Sequence, residues 1–407
     1  MATSLPNHHP LVNGQTTAAP LIEALRGRRP SQLPVWFMRQ AGRSLPEYRQ
    51  ARQGTTMLEA CLEPTLAAEL TLQPVRRHDV DAAIFFSDIV VPLKLAGVGV
   101  EIKPGVGPVM DQPYRTARDI ARLTEQSLTA AALAPIFEAV TQVVAELSPN
   151  GRPLIGFGGA PFTVAAYLVE GGPSRDHLAA RRLMHTDPAS WRRLLDWTAD
   201  LTAQFLVTQV VAGASAVQLF DSWAGSLSQT DYHLAVAPAS ARALAPVAQL
   251  RPAGVTPDAG GPGRSVSTPD PVKTSEVAVP VIHFAVGAGH LLTALHQVEV
   301  EAGVVYPTVG VDYRMPLDQA IAQLGPGVAV QGNIDPARLD TPWPLLEAHV
   351  RDVVRRGGAL AAGQPVGHVV NLGHGVPPDT DPEVLTRLTA LVHQLEAAGD
   401  PALEAAS

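Results

Sequence analysis

The sequence predicts an α/β protein: a single (β/α)8 barrel of the TIM type, with its active-site cleft at the C-terminal ends of the strands. Three observations carry that prediction. Eight short apolar runs, each bounded by turn residues, recur along the 407 residues at 34–38, 81–86, 153–157, 216–220, 279–286, 304–311, 329–333 and 368–372. Continuous apolar runs of this length suit parallel strands buried on both faces. The intervening stretches have apolar residues three and four apart, as in 119–147 and 191–211, which is helical spacing. Eight strand–helix alternations fit a barrel, and an open doubly wound sheet is the other arrangement of the same units.

Composition narrows the class further. Hydrophobic residues make up 46% and charged residues 17%, the balance of a globular chain. No stretch is long and apolar enough to span a bilayer, and the polar N-terminus lacks a basic-then-apolar secretory pattern. A cytoplasmic enzyme with no membrane partner is therefore expected. Cys61 is the single cysteine, which excludes intrachain disulfides, iron–sulfur clusters and cysteine-rich zinc sites. No His spacing suggests a metal site. The net charge of −8 argues against nucleic-acid binding, which needs an extended basic face. An acidic chain that binds an anion must reverse the field locally.

Residues 1–22 read as a disordered tail, 23–396 as the barrel domain, and 397–407 as a frayed end. The rhythm breaks at 245–275, which holds Pro246, Pro252, Pro257, Pro262, Pro269 and Pro271 among several glycines. Such a segment buries too little apolar surface to order itself and reads as an inserted loop.

In a barrel, chemistry belongs just after each strand. After the first run comes Arg39-Gln40-Ala41-Gly42-Arg43, where small residues permit close backbone approach and two guanidinium forks suit carboxylates or phosphates. After the second comes Asp88, set among Phe85, Phe86 and Ile89. It is either a helix cap or a buried charge awaiting a cationic or N–H-rich ligand. The third gives Phe157-Gly158-Gly159-Ala160, followed by Tyr167 on a helix. The glycine pair lacks nucleotide-loop spacing. The fourth gives Asp221-Ser222-Trp223, without the elbow or base of a serine nucleophile, so Ser222 reads as a hydrogen-bonding contact. The eighth gives Gly373-His374-Gly375, a histidine exposed at the mouth or packed there.

The strings Phe37-Met38-Arg39-Gln40-Ala41-Gly42-Arg43, Phe86-Ser87-Asp88-Ile89, Gly159-Ala160-Pro161-Phe162-Thr163, Gln331-Gly332-Asn333-Ile334-Asp335-Pro336 and Gly373-His374-Gly375 occur in this order. Together they resemble the uroporphyrinogen decarboxylase family from about residue 34 to 390. The resemblance implies a cofactor-free homodimeric barrel that converts the four acetates of uroporphyrinogen III to methyl groups, giving coproporphyrinogen III. It implies Asp88 and Arg39 as catalytic residues. It implies substrate contacts from Arg39, Gln40, Ala41, Gly42, Arg43, Asp88, Phe157, Tyr167, Ser222 and His374. Tyr313 stands where the resemblance leads one to expect Trp. Two other functions compete. A thiol-type methyltransferase needs clustered thiolate ligands, which one cysteine does not supply. A non-catalytic tetrapyrrole binder has no reason to keep the charged set intact.

Overall fold

A computed structural model describes residues 4–252, 277–358 and 367–397. Its centre is a parallel sheet of seven strands: β1 (Ala83–Ile84), β2 (Leu154–Gly159), β3 (Ala216–Phe220), β4 (Val281–Phe284), β5 (Pro307–Gly310), β6 (Ala329–Gln331) and β7 (His368–Val369). They lie side by side in chain order, β1 at one end and β7 at the other. Every strand but β3 and β5, each with one partly exposed end residue, is buried throughout, so the runs are apolar rather than alternating. The crossovers are mainly helical, among them α1 (Pro64–His78), α2 (Ala134–Leu147), α3 (Pro161–Glu170), α4 (Pro188–Val211), α5 (Ala237–Ala248), α6 (Leu292–Glu301), α7 (Leu317–Leu324) and α8 (Trp343–Arg356); α9 (Pro382–Ala397) follows β7. Several start with proline at the first turn, where a missing N–H costs nothing. Among the described residues no helix is long and apolar enough to cross a membrane.

The first apolar run differs from expectation: it is not a strand but a single parallel bridge, Val35 to Val370. The reason lies in its amides. Val35 N–H donates to Asp81 Oδ2 (2.7 Å), Phe37 N–H to Gln40 Oε1 (3.0 Å) and Met38 N–H to Asn371 Oδ1 (2.9 Å), so side chains take the bonds a ladder would use. The segment still lies between the two ends of the sheet, because Val370 N–H donates to the Pro34 carbonyl and Asp81 N–H to that of Val35 (both 2.9 Å).

The sheet is curled. Trp36 Nε1 donates to Gln331 Oε1 on β6 (3.0 Å), and Gln331 Nε2 donates to Gln218 Oε1 on β3 (2.9 Å). Two strands separate β3 from β6, so only a curled sheet lets these side chains meet inside it. All three side chains are buried, and the bonds satisfy amides that would otherwise be costly there.

Other expectations need correction. The N-terminal residues read as a tail are packed from Ser4 onward: Leu5, Leu11 and His9 are buried, and His9 Nε2 lies 3.2 Å from the Ala214 carbonyl. Ser4–Leu5 pairs in parallel with Arg251–Pro252. A few apolar anchors between polar residues suffice to hold this segment. The patterned stretch 119–147 is two helices, Ala117–Leu123 and α2, with a break between them. The inserted loop begins later than expected, since α5 runs to Ala248; residues 253–276 and 398–407 of the insertion and C-terminal tail lie outside the described residues.

Candidate active site

The C-terminal strand ends open into a cavity of about 1170 Å3. Nine of the ten residues singled out from sequence line it: Arg39, Ala41, Gly42, Arg43, Asp88, Phe157, Tyr167, Ser222 and His374. The tenth, Gln40, does not. It is fully buried, with Oε1 accepting from Phe37 N–H (3.0 Å) and Nε2 donating to the Ala82 carbonyl (3.1 Å). Gln40 therefore ties the arginine loop to the segment entering β1 and presents no group to a ligand.

Backbone and neighbours fix the arginine loop. Arg39 has a left-handed φ of 62°, uncommon outside glycine and costly unless its surroundings impose it. Its stem runs against Gly375, where a Cβ would sit 2.5 Å from Arg39 Cδ. Gly373 is required as well, since a Cβ there would meet the Tyr313 amide nitrogen at 2.1 Å. The glycines flanking His374 thus make room for the arginine and the neighbouring loop. The pair Gly158-Gly159 also serves packing. Added Cβ atoms would meet Thr202 of α4 at 3.0 Å and Val164 and Ile89 at 2.7 and 2.8 Å.

Asp88 makes the cap-like contact its sequence allowed and keeps one oxygen free. Its Oδ1 accepts from Val90 N–H (3.0 Å), a cap-like contact, while Oδ2 accepts no hydrogen bond from the described residues. Loss of solvent lifts its carboxyl above the usual carboxylate range, opposed by the Val90 amide and by Arg39. Tyr167 feels the same surroundings: burial and Asp88 push its phenol up to about 12, against Arg39. His374, half-buried, has its pKa lowered by burial, Arg39 and Arg314, against Asp312, which favours the neutral ring.

Phe157, Phe220 and Phe284 form an apolar wall of edge-to-face rings, with centroids 5.4 Å and 6.1 Å apart. Two cations not singled out from sequence join the site, Arg52 and Lys103. Arg52 follows the helix Pro46–Ala51, whose length returns the chain to the mouth; its NH1 donates to Tyr48 Oη (2.8 Å). Lys103 sits on the hairpin Val100–Lys103/Gly107–Met110. No carboxylate among the described residues ion-pairs with Arg39, Arg43, Arg52 or Lys103. Four cations less the single carboxylate of Asp88 leave a wall charge of +3, inside a chain of −8. Cys61 is buried off this wall, and among the described residues no three His, Cys, Asp or Glu side chains cluster as metal ligands.

A curled parallel sheet whose strand ends carry a large cationic cavity, aromatic on one side and holding one carboxylate, defines the α/β class of this protein. Comparison with known proteins gives the family. The model of the family described as Uroporphyrinogen decarboxylase (URO-D) matches residues 16–395, and this chain belongs to that family. A relative from Arthrobacter sp. (strain FB24) named uroporphyrinogen decarboxylase is 56% identical over 384 residues, 94% of this chain and 99% of its own. One of the same name from Leifsonia xyli subsp. xyli (strain CTCB07) is 55% identical over 396 residues, covering 97% and 99%. Among solved structures, a methyltransferase from Methanosarcina mazei superposes with a TM-score of 0.69 over 94% of this chain and 99% of its own. At 16% identity it shares the fold alone.

Proposed function

We propose that this protein decarboxylates the four acetate side chains of uroporphyrinogen III to methyl groups, yielding coproporphyrinogen III. The observation that carries the reading, beyond family membership, is the cavity: four unpaired cations around one desolvated carboxylate. A macrocycle with eight rim carboxylates and four central pyrrole N–H groups is complementary to that charge pattern. Arg39, Arg43, Arg52 and Lys103 meet acetates and propionates, with bidentate pairing open to Arg39 and Arg43. Ser222, His374 and Tyr167 add hydrogen bonds, Ala41 and Gly42 admit the rim, and Phe157 packs on the ring system. Asp88 Oδ2 accepts from the pyrrole N–H groups.

The chemistry follows from the substrate. A proton added to a pyrrole ring carbon creates a cation conjugated with the acetate-bearing carbon. The C–CO2 bond then breaks, its electron pair neutralising the ring as CO2 leaves. The methylene carbon takes up a proton and the ring carbon releases one, so each acetate lost consumes one proton net. The pyrrole itself is the electron sink, and no cofactor is invoked. Asp88 stabilises the cation beside the apolar wall, and one preorganised charge of this kind contributes on the order of 10² to 10³ in rate. Arg39, whose charge faces Asp88, holds the departing carboxylate.

We further propose that the segment at Val35 completes an eight-membered barrel, which rests on the backbone bonds flanking Val35, and that the protein is a cytoplasmic homodimer, which rests on the family alone. The decisive experiment is anaerobic incubation with uroporphyrinogen III, followed by chromatography of the oxidised porphyrins. Stepwise loss of carboxyls ending at coproporphyrin supports the reading. Unchanged substrate from folded protein refutes it. Sedimentation as a monomer at micromolar concentration refutes the dimer.

A further inference from the structure

Tyr167 faces the cavity with no hydrogen bond to its hydroxyl from the described residues, so something else must fix its ring. A stack of three rings does so. The Trp223 ring lies 3.9 Å from that of Tyr167 at an interplanar angle of 29°, and 4.3 Å from the His177 ring on its other face at 23°. His177 is the back plate: it is buried, its backbone is left-handed with φ 49°, and Phe162 abuts it edge-on at 6.4 Å. The Trp223 backbone is clamped as well. Its N–H donates to Thr163 Oγ1 (3.3 Å), Thr163 donates in turn to Asp221 Oδ1 (2.9 Å), and its carbonyl accepts from Ser226 Oγ (2.8 Å). A ring held at both backbone ends and on one face is a rigid platform for the ring on its other face.

We propose that Trp223 is a positioning residue: sandwiched between His177 and Tyr167, it holds the phenol hydroxyl in the cleft beside Asp88, where it meets a substrate carboxylate. The proposal rests on the decarboxylase reading above and extends it to a residue beyond those assigned a contact. A phenol on a single Cα–Cβ hinge otherwise samples several rotamers, and only one presents its oxygen to the substrate. Without the platform the hydroxyl's contribution is diluted among orientations.

The test is a double-mutant cycle on kcat/KM for uroporphyrinogen III and on the affinity for uroporphyrin, a stable oxidised ligand read by fluorescence. Trp223→Leu is expected to lower both about three- to tenfold, the range that aromatic pairing supports. Trp223→Phe, which keeps a face to stack on, should stay within about twofold of wild type. In a Tyr167→Phe background the Leu variant should cost less than about twofold more, because the hydroxyl it positions is already gone. His177→Leu removes the back plate and should show the same dependence on Tyr167, keeping the cycle available if Trp223→Leu does not fold. Additive losses, or Trp223→Phe as impaired as Trp223→Leu, overturn the proposal. A wild type that neither turns over uroporphyrinogen nor binds uroporphyrin overturns the decarboxylase reading itself, which separates the two failures.

Discussion

Replacing Asp88 by asparagine should move activity and stability in opposite directions. Asparagine keeps the shape and an oxygen to accept from Val90 N–H, so the turn after β1 survives. What is lost is the charge. A carboxylate about 4 Å from a developing pyrrole cation, at an effective dielectric near 20, interacts by about 4 kcal/mol. Removing a preorganised group of this kind costs on the order of 10² to 10³ in kcat. Substrate still binds through its rim carboxylates, so KM should change less than about fivefold, since uniform binding and transition-state binding separate in this way. Stability follows from linkage. The carboxyl is raised above its ordinary 3.8 mainly by desolvation, so the folded state holds the proton more tightly than the unfolded one. At pH 7 the ionised native carboxylate therefore carries a desolvation cost absent in Asn, and the variant should melt at a higher temperature. The difference should close as pH falls toward the unfolded pKa, where both states are protonated. The assay pairs anaerobic single-substrate kinetics with thermal unfolding across pH 4 to 8. An Asp88→Asn variant retaining more than about a third of wild-type kcat would refute the electrostatic role. A variant less stable than wild type at pH 7 would refute the claim that this charge is held at a cost.

Arg52→Met should raise KM about tenfold, the loss of one partly buried charge-assisted contact, and flatten the dependence of KM on ionic strength seen in initial rates. A salt-independent wild-type KM would contradict the cationic wall. Gln40→Ala removes two buried hydrogen bonds from the arginine loop, leaving Phe37 N–H and the Ala82 carbonyl unpaired, and should cost about 2 to 4 kcal/mol in denaturant unfolding. Gln40→Ala of undiminished stability would place the side chain in the ligand site after all. His9 and His368 are fully buried and lowered to about 4, chiefly by burial, from 6.5. The unfolded chain binds those protons first, so stability should fall as pH drops from 6.5 to 4, by up to about 3 kcal/mol per histidine. His9→Asn should flatten that slope in urea titrations at stepped pH.

Seven of the eight apolar runs were legible as strands because each is buried on two faces, which leaves no polar alternation to confuse the pattern. The run at 34–38 shows where that logic stops. Its composition is strand-like, yet Asp81, Gln40 and Asn371 intercept its amides, and the bonds from Asp81 and Asn371 are long-range and leave no local trace. The same limit applies in the cavity. Asp88 and His374 were visible because they follow strand ends, and Arg39 and Arg43 because they follow an apolar run that reads as one. Arg52, Lys103 and Trp223 reach the cavity through a helix, a hairpin and a stack, whose lengths and angles no short motif encodes. Gln40 shows the converse: it lies within the motif, yet the loop turns its amide inward to the Ala82 carbonyl.

The charge arrangement fits the proposal that this acidic chain takes an octa-anionic substrate. Elsewhere many arginines are paired, as Arg76 with Glu69 and Glu146, Arg77 with Glu47, Arg242 with Asp200 and Arg356 with Asp352. Those surface pairs add little to stability but cancel long-range field. The cavity cations have no carboxylate partners among the described residues, so their charge is not cancelled locally and gives the cleft a positive potential. Asp88 is the exception inside that field, and in the proposed mechanism that exception supplies the negative charge. Arg39 lowers the cost of keeping it ionised without hydrogen-bonding to it, which leaves Oδ2 open to the pyrrole N–H groups. An ion pair at this position would neutralise the one negative charge that the cationic intermediate requires.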